Sequence, residues 1–151
     1  MSSRRKQIIN VLFLYIIAYI YSLVYAPMIA NDKDHFINKL HEKCLYECDV
    51  CRIITSGRGD NYYIAAMTPE KQKQLNKCLF SFWGLTHFIL YVFIGYFAPD
   101  LFYETFIVGI VFEVFEFYKY DCADPLDIVW NTLGFIVGKS LRTGKLVELK
   151  I

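Results

Sequence analysis

The chain has 151 residues, enough for a single domain, and 56% of them are hydrophobic and 18% aromatic. These apolar residues occur in long uninterrupted runs, which is typical of membrane proteins. The formal net charge of +1 gives no reason to expect a nucleic-acid partner, so membrane lipids are the partners that the composition predicts.

The first predicted element is a membrane anchor over residues 1–30. A basic leader with Arg4, Arg5 and Lys6 precedes Ile8–Ala30, an uncharged run long enough to cross a hydrocarbon core of roughly 30 Å. A cleaved signal peptide is the alternative, but Pro27 follows the candidate cleavage motif and is a poor start for a mature chain. The basic leader predicts a cytoplasmic N-terminus.

Residues 31–78 form a long polar segment that we predict to lie on the outer side of the membrane. Its first part, Asp32–Ile54, has apolar and cysteine residues at helical spacing, which predicts a helix. The positions on one face of that helix are Ile37, Leu40, Cys44, Cys48 and Cys51. A loop rich in Gly, Ser, Asp and Asn follows, and Thr68-Pro69 has the form of a helix start.

The chain contains five cysteines, an odd number, so at least one thiol stays free or pairs elsewhere. They are Cys44, Cys48, Cys51, Cys78 and Cys122. All five lie on the side that we predict to be outer, where an oxidising compartment favours disulfides. Zinc binding with the help of His41 or Cys78 is the alternative, and the sequence does not decide between disulfides, metal ligands and free thiols.

Three further membrane spans follow in close succession. Leu79–Ala98 and Leu101–Tyr118 are separated only by a Pro-Asp pair, so these two helices must be antiparallel neighbours. The last span, Leu126–Leu141, has a strong start signal in Asp124-Pro125, with the aspartate as N-cap and the proline in the first helical position.

Together these elements predict an all-α, polytopic membrane protein with four transmembrane helices and a polar helical outer loop. Four spans place both termini in the cytoplasm, so the basic tail 142–151 agrees with the positive-inside rule. The outer segment 31–78 carries eight Lys and Arg residues, which opposes this topology, but it also carries seven acids and is long enough to weaken the rule. Residues 79–141 then form one three-helix membrane unit.

Each helix of this three-helix unit has glycines and polar residues on one face. Such faces let helices approach closely and hydrogen-bond to one another inside a membrane. The three faces are Gly84, His87, Tyr91 and Gly95; Gly109, Glu113, Glu116 and Tyr120; and Asp127, Asn131, Gly134 and Gly138.

Five residues of these faces are predicted to converge in one pocket in the outer half of the bilayer. They are His87, Glu113, Glu116, Asp127 and Asn131. Ionisable side chains are rare inside membranes and mark functional sites by default. Asp127, like Asp124, has an ordinary explanation at the start of a helix, whereas Glu113 has none. Because three nearby acids cannot all stay ionised, we expect a shared proton or a bound divalent cation.

Three motifs carry a resemblance to a known family. They are Thr86-His87-Phe88-x-x-Tyr91, Glu113-x-x-Glu116-Phe117 and Asp127-Ile128-x-x-Asn131-x-x-Gly134-x-x-x-Gly138. Over residues 80–141 this array resembles the VanZ-like family of small membrane proteins. That family usually has Gln at the position of Glu116 and an Arg in the turn before the Asp-bearing helix, where Lys119 is the only base here. The resemblance implies the three-helix fold and the polar site, and it implies no particular reaction.

Three classes of function are compatible with these features. In the first, the cluster binds or acts on a lipid-linked or amphipathic ligand, with Glu113 as base or ligand and His87 and Asp127 as its partners. In the second, the cluster is the proton or cation site of a small transporter or oligomeric channel subunit. In the third, the polar faces only hold helices together, and the outer loop binds a partner protein. Whether the chain is an enzyme or forms a homo-oligomer stays open.

Overall fold

The computed structural model of the protein describes residues 3–31, 36–41, 43–48, 78–120 and 124–144. These residues are mostly helical, and a small two-stranded sheet is the exception to the all-α prediction. In chain order the elements are α1 (Ser3–Asn31), α2 (Phe36–His41), β1 (Cys44–Glu47), β2 (Cys78–Ser81), α3 (Phe82–Phe97), α4 (Phe102–Tyr120) and α5 (Pro125–Thr143).

Local capping groups set the ends of the helices α3 and α5. The Ser81 side chain is the N-cap of α3 and accepts a hydrogen bond from the Gly84 N–H at 3.0 Å. Asp124 caps α5 as predicted, since its side chain accepts from the Leu126 N–H at 3.1 Å. The helix α5 ends at Gly144, whose φ of 66° is the left-handed conformation that favours glycine after a helix.

The segment over residues 32–54, which the sequence predicts to be a helix, contains a strand. Cys44–Glu47 forms β1 and pairs antiparallel with β2, and a disulfide joins Cys44 to Cys78. The helix here is only the six-residue α2, so the predicted helix over Asp32–Ile54 is wrong at 44–47. The physical reason is that β2 lies 34 residues away in sequence and supplies a backbone partner that local spacing cannot reveal.

The disulfide prediction can be followed for three of the five cysteines. Besides Cys44 and Cys78, Cys48 is also disulfide-bonded. The remaining candidates, Cys51 and Cys122, lie outside the described residues, as do the predicted loop after residue 54 and the predicted helix start at 68–69.

Among the described elements, helices α3 and α5 form the tightest contact. They run parallel, because Gly84 near the start of α3 lies beside α5 residue Trp130, and the later residue Val92 lies beside Gly138. A Cβ atom on Gly138 would lie only 2.0 Å from the Val92 carbonyl oxygen, and one on Gly134 would lie 2.3 Å from a carbonyl oxygen of α3. The two backbones are therefore in direct contact, and only glycine fits between them.

Helix α1 packs against the turn between α3 and α4. The Gln7 side chain donates to Asp100 Oδ2 at 2.8 Å and accepts from the Asp100 backbone N–H at 3.1 Å. Arg4 forms an ion pair with Glu104 in the first turn of α4. The start of α1, the end of α3 and the start of α4 therefore lie at one end of the molecule, and successive long helices alternate in direction.

A small apolar core lies near that same end, between α1, α3 and α5. Its buried members are Val11, Tyr91, Ile94, Ala98, Leu101 and Phe135. Helix α4 runs antiparallel to α3, as the sequence predicts. The Tyr91 side chain of α3 connects the two helices, because its Oη donates to the Thr105 carbonyl oxygen of α4 at 3.0 Å. The close α3–α5 contact, formed by helices that are not consecutive, is therefore what positions the site.

Of the described helices, one contains a stretch long and apolar enough to cross a membrane. It is the part of α1 over Ser3–Val24. Helix α3 is strongly apolar but has only 16 residues.

Candidate functional site

The five predicted site residues are all buried, and they lie on the inner faces of α3, α4 and α5. Their exposed fractions are 8% for His87, 5% for Glu113, 9% for Glu116, 2% for Asp127 and 4% for Asn131. Three separate helices contribute these side chains, so the site exists only because the glycine-mediated contact holds α3 and α5 together.

His87 of α3 is held between two residues of α5. Its Nδ1 lies 3.2 Å from Asn131 Oδ1, and its Nε2 lies 3.8 Å from Asp127 Oδ2. An amide oxygen only accepts hydrogen bonds, so Nδ1 carries the hydrogen and donates it to Asn131. In a neutral ring, the lone pair is then on Nε2 and faces the Asp127 carboxyl group.

Glu113 of α4 has two oxygens in different situations. Its Oε2 accepts a hydrogen bond from the backbone N–H of Asp124 at 3.1 Å, which ties α4 to the start of α5. Its Oε1 is buried and has no hydrogen-bond partner among the described residues. Buried polar atoms without a partner are uncommon, and each one calls for an explanation such as an ion or a catalytic role.

Glu116 lies one turn further along α4 on the same face. None of the hydrogen bonds in the described part of the chain involves it, although it is close enough to Asp127 and Asp124 for their charges to interact. It is therefore a neighbour of the site, and the tighter group forms without it.

That tighter group consists of His87, Glu113 and Asp127. One nitrogen or oxygen atom from each residue lies within 4.8 Å of the others, which is a spacing suited to a shared metal ion. Asn131 is attached to this group through His87, and the Asp124 backbone is attached through Glu113. We refer to the three residues below as the His87–Glu113–Asp127 triad.

A narrow apolar crevice, too tight in this structure to hold a water molecule, lies between α3, α4 and α5 and reaches the triad through Asn131. Most of its lining is apolar or aromatic, including Phe102, Phe106 and Ile128, and Thr105, Thr132 and Asn131 add polar groups. Asn131 belongs to both parts of the site, because it lines the crevice and also accepts the hydrogen bond from the His87 ring. The site thus has a polar end and an apolar end in contact with each other.

No family model, curated protein or solved structure matches this chain. Its function is therefore inferred from the chemistry of the triad and the crevice.

Spacing along the sequence identified the triad residues but missed two residues that contact Tyr91 inside the bundle. Thr105 is 2% exposed and accepts hydrogen bonds at its carbonyl oxygen from Tyr91 at 3.0 Å and Tyr15 at 3.4 Å. It lies four residues before Gly109 on the same helical face, so helical spacing could have found it. Tyr15 carried no such signal, because the apolar residues of α1 are distributed around the whole helix and mark no inner face.

Proposed function

We propose that the chain crosses a membrane four times, through α1, α3, α4 and α5. The acids of α4 and α5 lower the hydropathy of these helices, yet Glu113, Glu116 and Asp127 are buried inside the bundle. Large apolar side chains point outward instead, as lipid-facing surfaces require. They include Ile89, Phe93, Ile107, Val111, Phe115, Val129 and Leu133. At about 1.5 Å per residue, the 19 residues of α4 or of α5 approach the thickness of a hydrocarbon core.

Both termini are proposed to be cytoplasmic. Basic residues gather at the end of the molecule that contains the start of α1 and the end of α5. Arg4 lies there beside Glu104, and Arg142 lies over the Tyr96 ring at 5.5 Å. The triad lies towards the opposite end, near the disulfide-linked segment, which supports a position in the outer half of the membrane.

Epitope tags at the two termini test this topology. In sealed, right-side-out cells or vesicles, both tags should resist added protease and both should be cut after permeabilisation. Digestion of one tag alone in sealed vesicles would refute an even number of spans.

The function that the geometry supports best is binding of a lipid-linked or amphipathic ligand from the outer leaflet. The observation that carries this proposal is that Asn131 joins a buried polar triad to an apolar crevice. A polar headgroup would contact the triad while its chain would widen the crevice and lie along Phe106 and Ile128. Pockets that bind such ligands are mostly apolar with a few convergent polar groups.

The proposed unit agrees with the VanZ-like resemblance. The residues that carry the resemblance, among them His87, Glu113, Asp127 and Asn131, are those whose side chains meet. We therefore propose that residues 79–141 share the VanZ-like arrangement of helices and its polar site, with Glu116 as a departure from the family pattern.

Photo-crosslinking tests the ligand site. The protein in nanodiscs would be labelled with a phospholipid that carries a diazirine on its acyl chain, and the labelled residues would be mapped by mass spectrometry. Labelling should be several times stronger at Phe106, Ile128 and Thr132 than on the outward face of α1. Glu113→Gln should reduce this excess, whereas Glu104→Gln, the same change at an exposed site on the same helix, should not. Even labelling of all lipid-facing surfaces would refute the crevice as a ligand site.

Proton or cation transport is a second candidate function. The observation in its favour is the pair of hydroxyl groups on Tyr15 and Tyr91, 3.3 Å apart, which adds polar groups to the interior of the bundle between α1 and α3. Proteoliposomes with an internal pH dye distinguish the two functions. Proton flux that Glu113→Gln abolishes would favour transport, and its absence would leave ligand binding as the better proposal.

A further inference from the structure

We propose that the His87–Glu113–Asp127 triad binds one divalent transition-metal ion, of the Zn²⁺ or Mn²⁺ type. This inference deepens the proposed function and rests on it for the role of the ion, which would form the polar end of the ligand site. Ion binding itself can be measured with no ligand present.

The donor set has the right chemistry for such an ion. It offers one imidazole nitrogen and two carboxylate oxygens, and the imidazole selects transition metals over Ca²⁺ and Mg²⁺, which prefer oxygen ligands and retain water. Two carboxylates also balance the two positive charges of the ion, so the loaded triad is close to neutral in a buried site.

The unpartnered oxygen of Glu113 is the strongest indication of an ion-binding site. This residue is 5% exposed, and its Oε1 has no hydrogen-bond donor among the described residues. The same carboxyl group is held in place at its other oxygen by the Asp124 backbone N–H. An anchored carboxylate with one buried oxygen left unpaired is what a metal-ligating carboxylate looks like before the ion binds.

His87 is oriented in the same way. Metal-binding histidines usually donate their second ring N–H to a carboxylate or carbonyl oxygen, which fixes the tautomer and the ring orientation. Here Nδ1 donates to Asn131 Oδ1 at 3.2 Å, and Nε2 is left to face Asp127 Oδ2 at 3.8 Å. Asn131 is therefore a positioning residue for the proposed ligand His87.

The spacing requires only a small contraction. Ligands on one tetrahedral Zn²⁺ lie about 3.4 Å apart, given bonds of roughly 2.0–2.2 Å, and the triad atoms lie within 4.8 Å. Three protein ligands leave a fourth position open, as in zinc sites that bind a substrate.

Metal titration of the full-length protein tests this inference. The protein would be purified without a polyhistidine tag, kept oxidised, stripped with EDTA, and titrated with Zn²⁺, Mn²⁺ and Co²⁺, with bound metal measured by mass spectrometry. We expect one ion per chain. Asp127→Asn and Glu113→Gln should each weaken binding by at least tenfold, and Asn131→Ala should weaken it about 10–100-fold while all three ligands remain. Glu104→Gln is the matched control and should bind as the wild type does.

Several outcomes would overturn the proposal. The first is that none of the three ions binds stoichiometrically. The second is that wild type and Glu113→Gln bind equally well and have the same circular dichroism spectrum. The third is a thiolate-to-Co²⁺ charge-transfer band, which would place the ion on a cysteine. The readouts also separate the two proposals. Glu113-dependent lipid labelling without metal binding refutes the metal site alone, whereas metal binding without preferential labelling refutes the ligand site alone.

Discussion

The closest helix contact makes a sharp prediction for Gly138→Ala. The new Cβ would lie 2.0 Å from the Val92 carbonyl oxygen and 2.8 Å from the Tyr96 backbone nitrogen. Real Cβ contacts are rarely shorter than 3.4 Å, so α3 and α5 would have to separate by about 1.4 Å. Neither neighbour is a flexible side chain that can turn away, so the whole contact must adjust.

Two opposing effects set the size of the change. Overpacking of this kind costs typically about 1–3 kcal/mol, and backbone contacts favour the upper end of that range. Alanine is favoured over glycine within a helix by roughly 0.5–1 kcal/mol, which offsets part of the loss. We therefore expect Gly138→Ala to lower the free energy of unfolding by about 2 kcal/mol. Since His87 and Asn131 lie on the same two helices, the separation should also lengthen their 3.2 Å hydrogen bond.

The measurement is the free energy of unfolding in detergent micelles, by reversible titration with a denaturing detergent. Val137→Ala is the matched control, because Val137 is the neighbouring residue of α5 and faces outward, and its change should stay within about 0.5 kcal/mol. If Gly138→Ala were as stable as the wild type, or more stable as helix propensity alone predicts, the direct backbone contact of α3 and α5 would be refuted.

Three other contacts give separate predictions. Asp124→Ala removes the acceptor of the Leu126 N–H and should lower the free energy of unfolding by about 1 kcal/mol, and no change would show that the cap contributes nothing. Replacing Cys44 and Cys78 with serine opens a 34-residue loop. Chain entropy predicts that this lowers the free energy of unfolding by about 3–4 kcal/mol, and thermal melts of oxidised wild type and variant would measure the loss. Glu104→Gln breaks an exposed ion pair and should change stability by less than about 0.5 kcal/mol, so a larger loss would mean that this pair holds α1 in place.

The helices of the three-helix unit and the identity of the site residues could be predicted from the sequence. Polar and small residues recur every three or four positions in otherwise apolar runs, and a helix turns such a repeat into one continuous face. Asp124 and Pro125 together predict the start of α5 because capping depends only on neighbouring residues. The tight Pro-Asp turn likewise predicts that α3 and α4 are antiparallel.

The sheet could not be predicted in the same way. The segment around Cys44 has helical spacing, but its conformation depends on β2 and on the disulfide to Cys78, 34 residues later. Pairing between distant segments overrides a short local repeat, because each strand obtains its hydrogen bonds from the other.

The sequence by itself therefore determined which side chains lie on the inner face of each helix, since that depends on a repeat within a single segment. Only the tertiary structure decided that α3 packs most closely on α5, that the Asp124 backbone N–H occupies one oxygen of Glu113, and that the other oxygen is left without a partner in the described part of the chain. These features join atoms from different helices, and their distances are set by how closely two backbones can approach at a glycine.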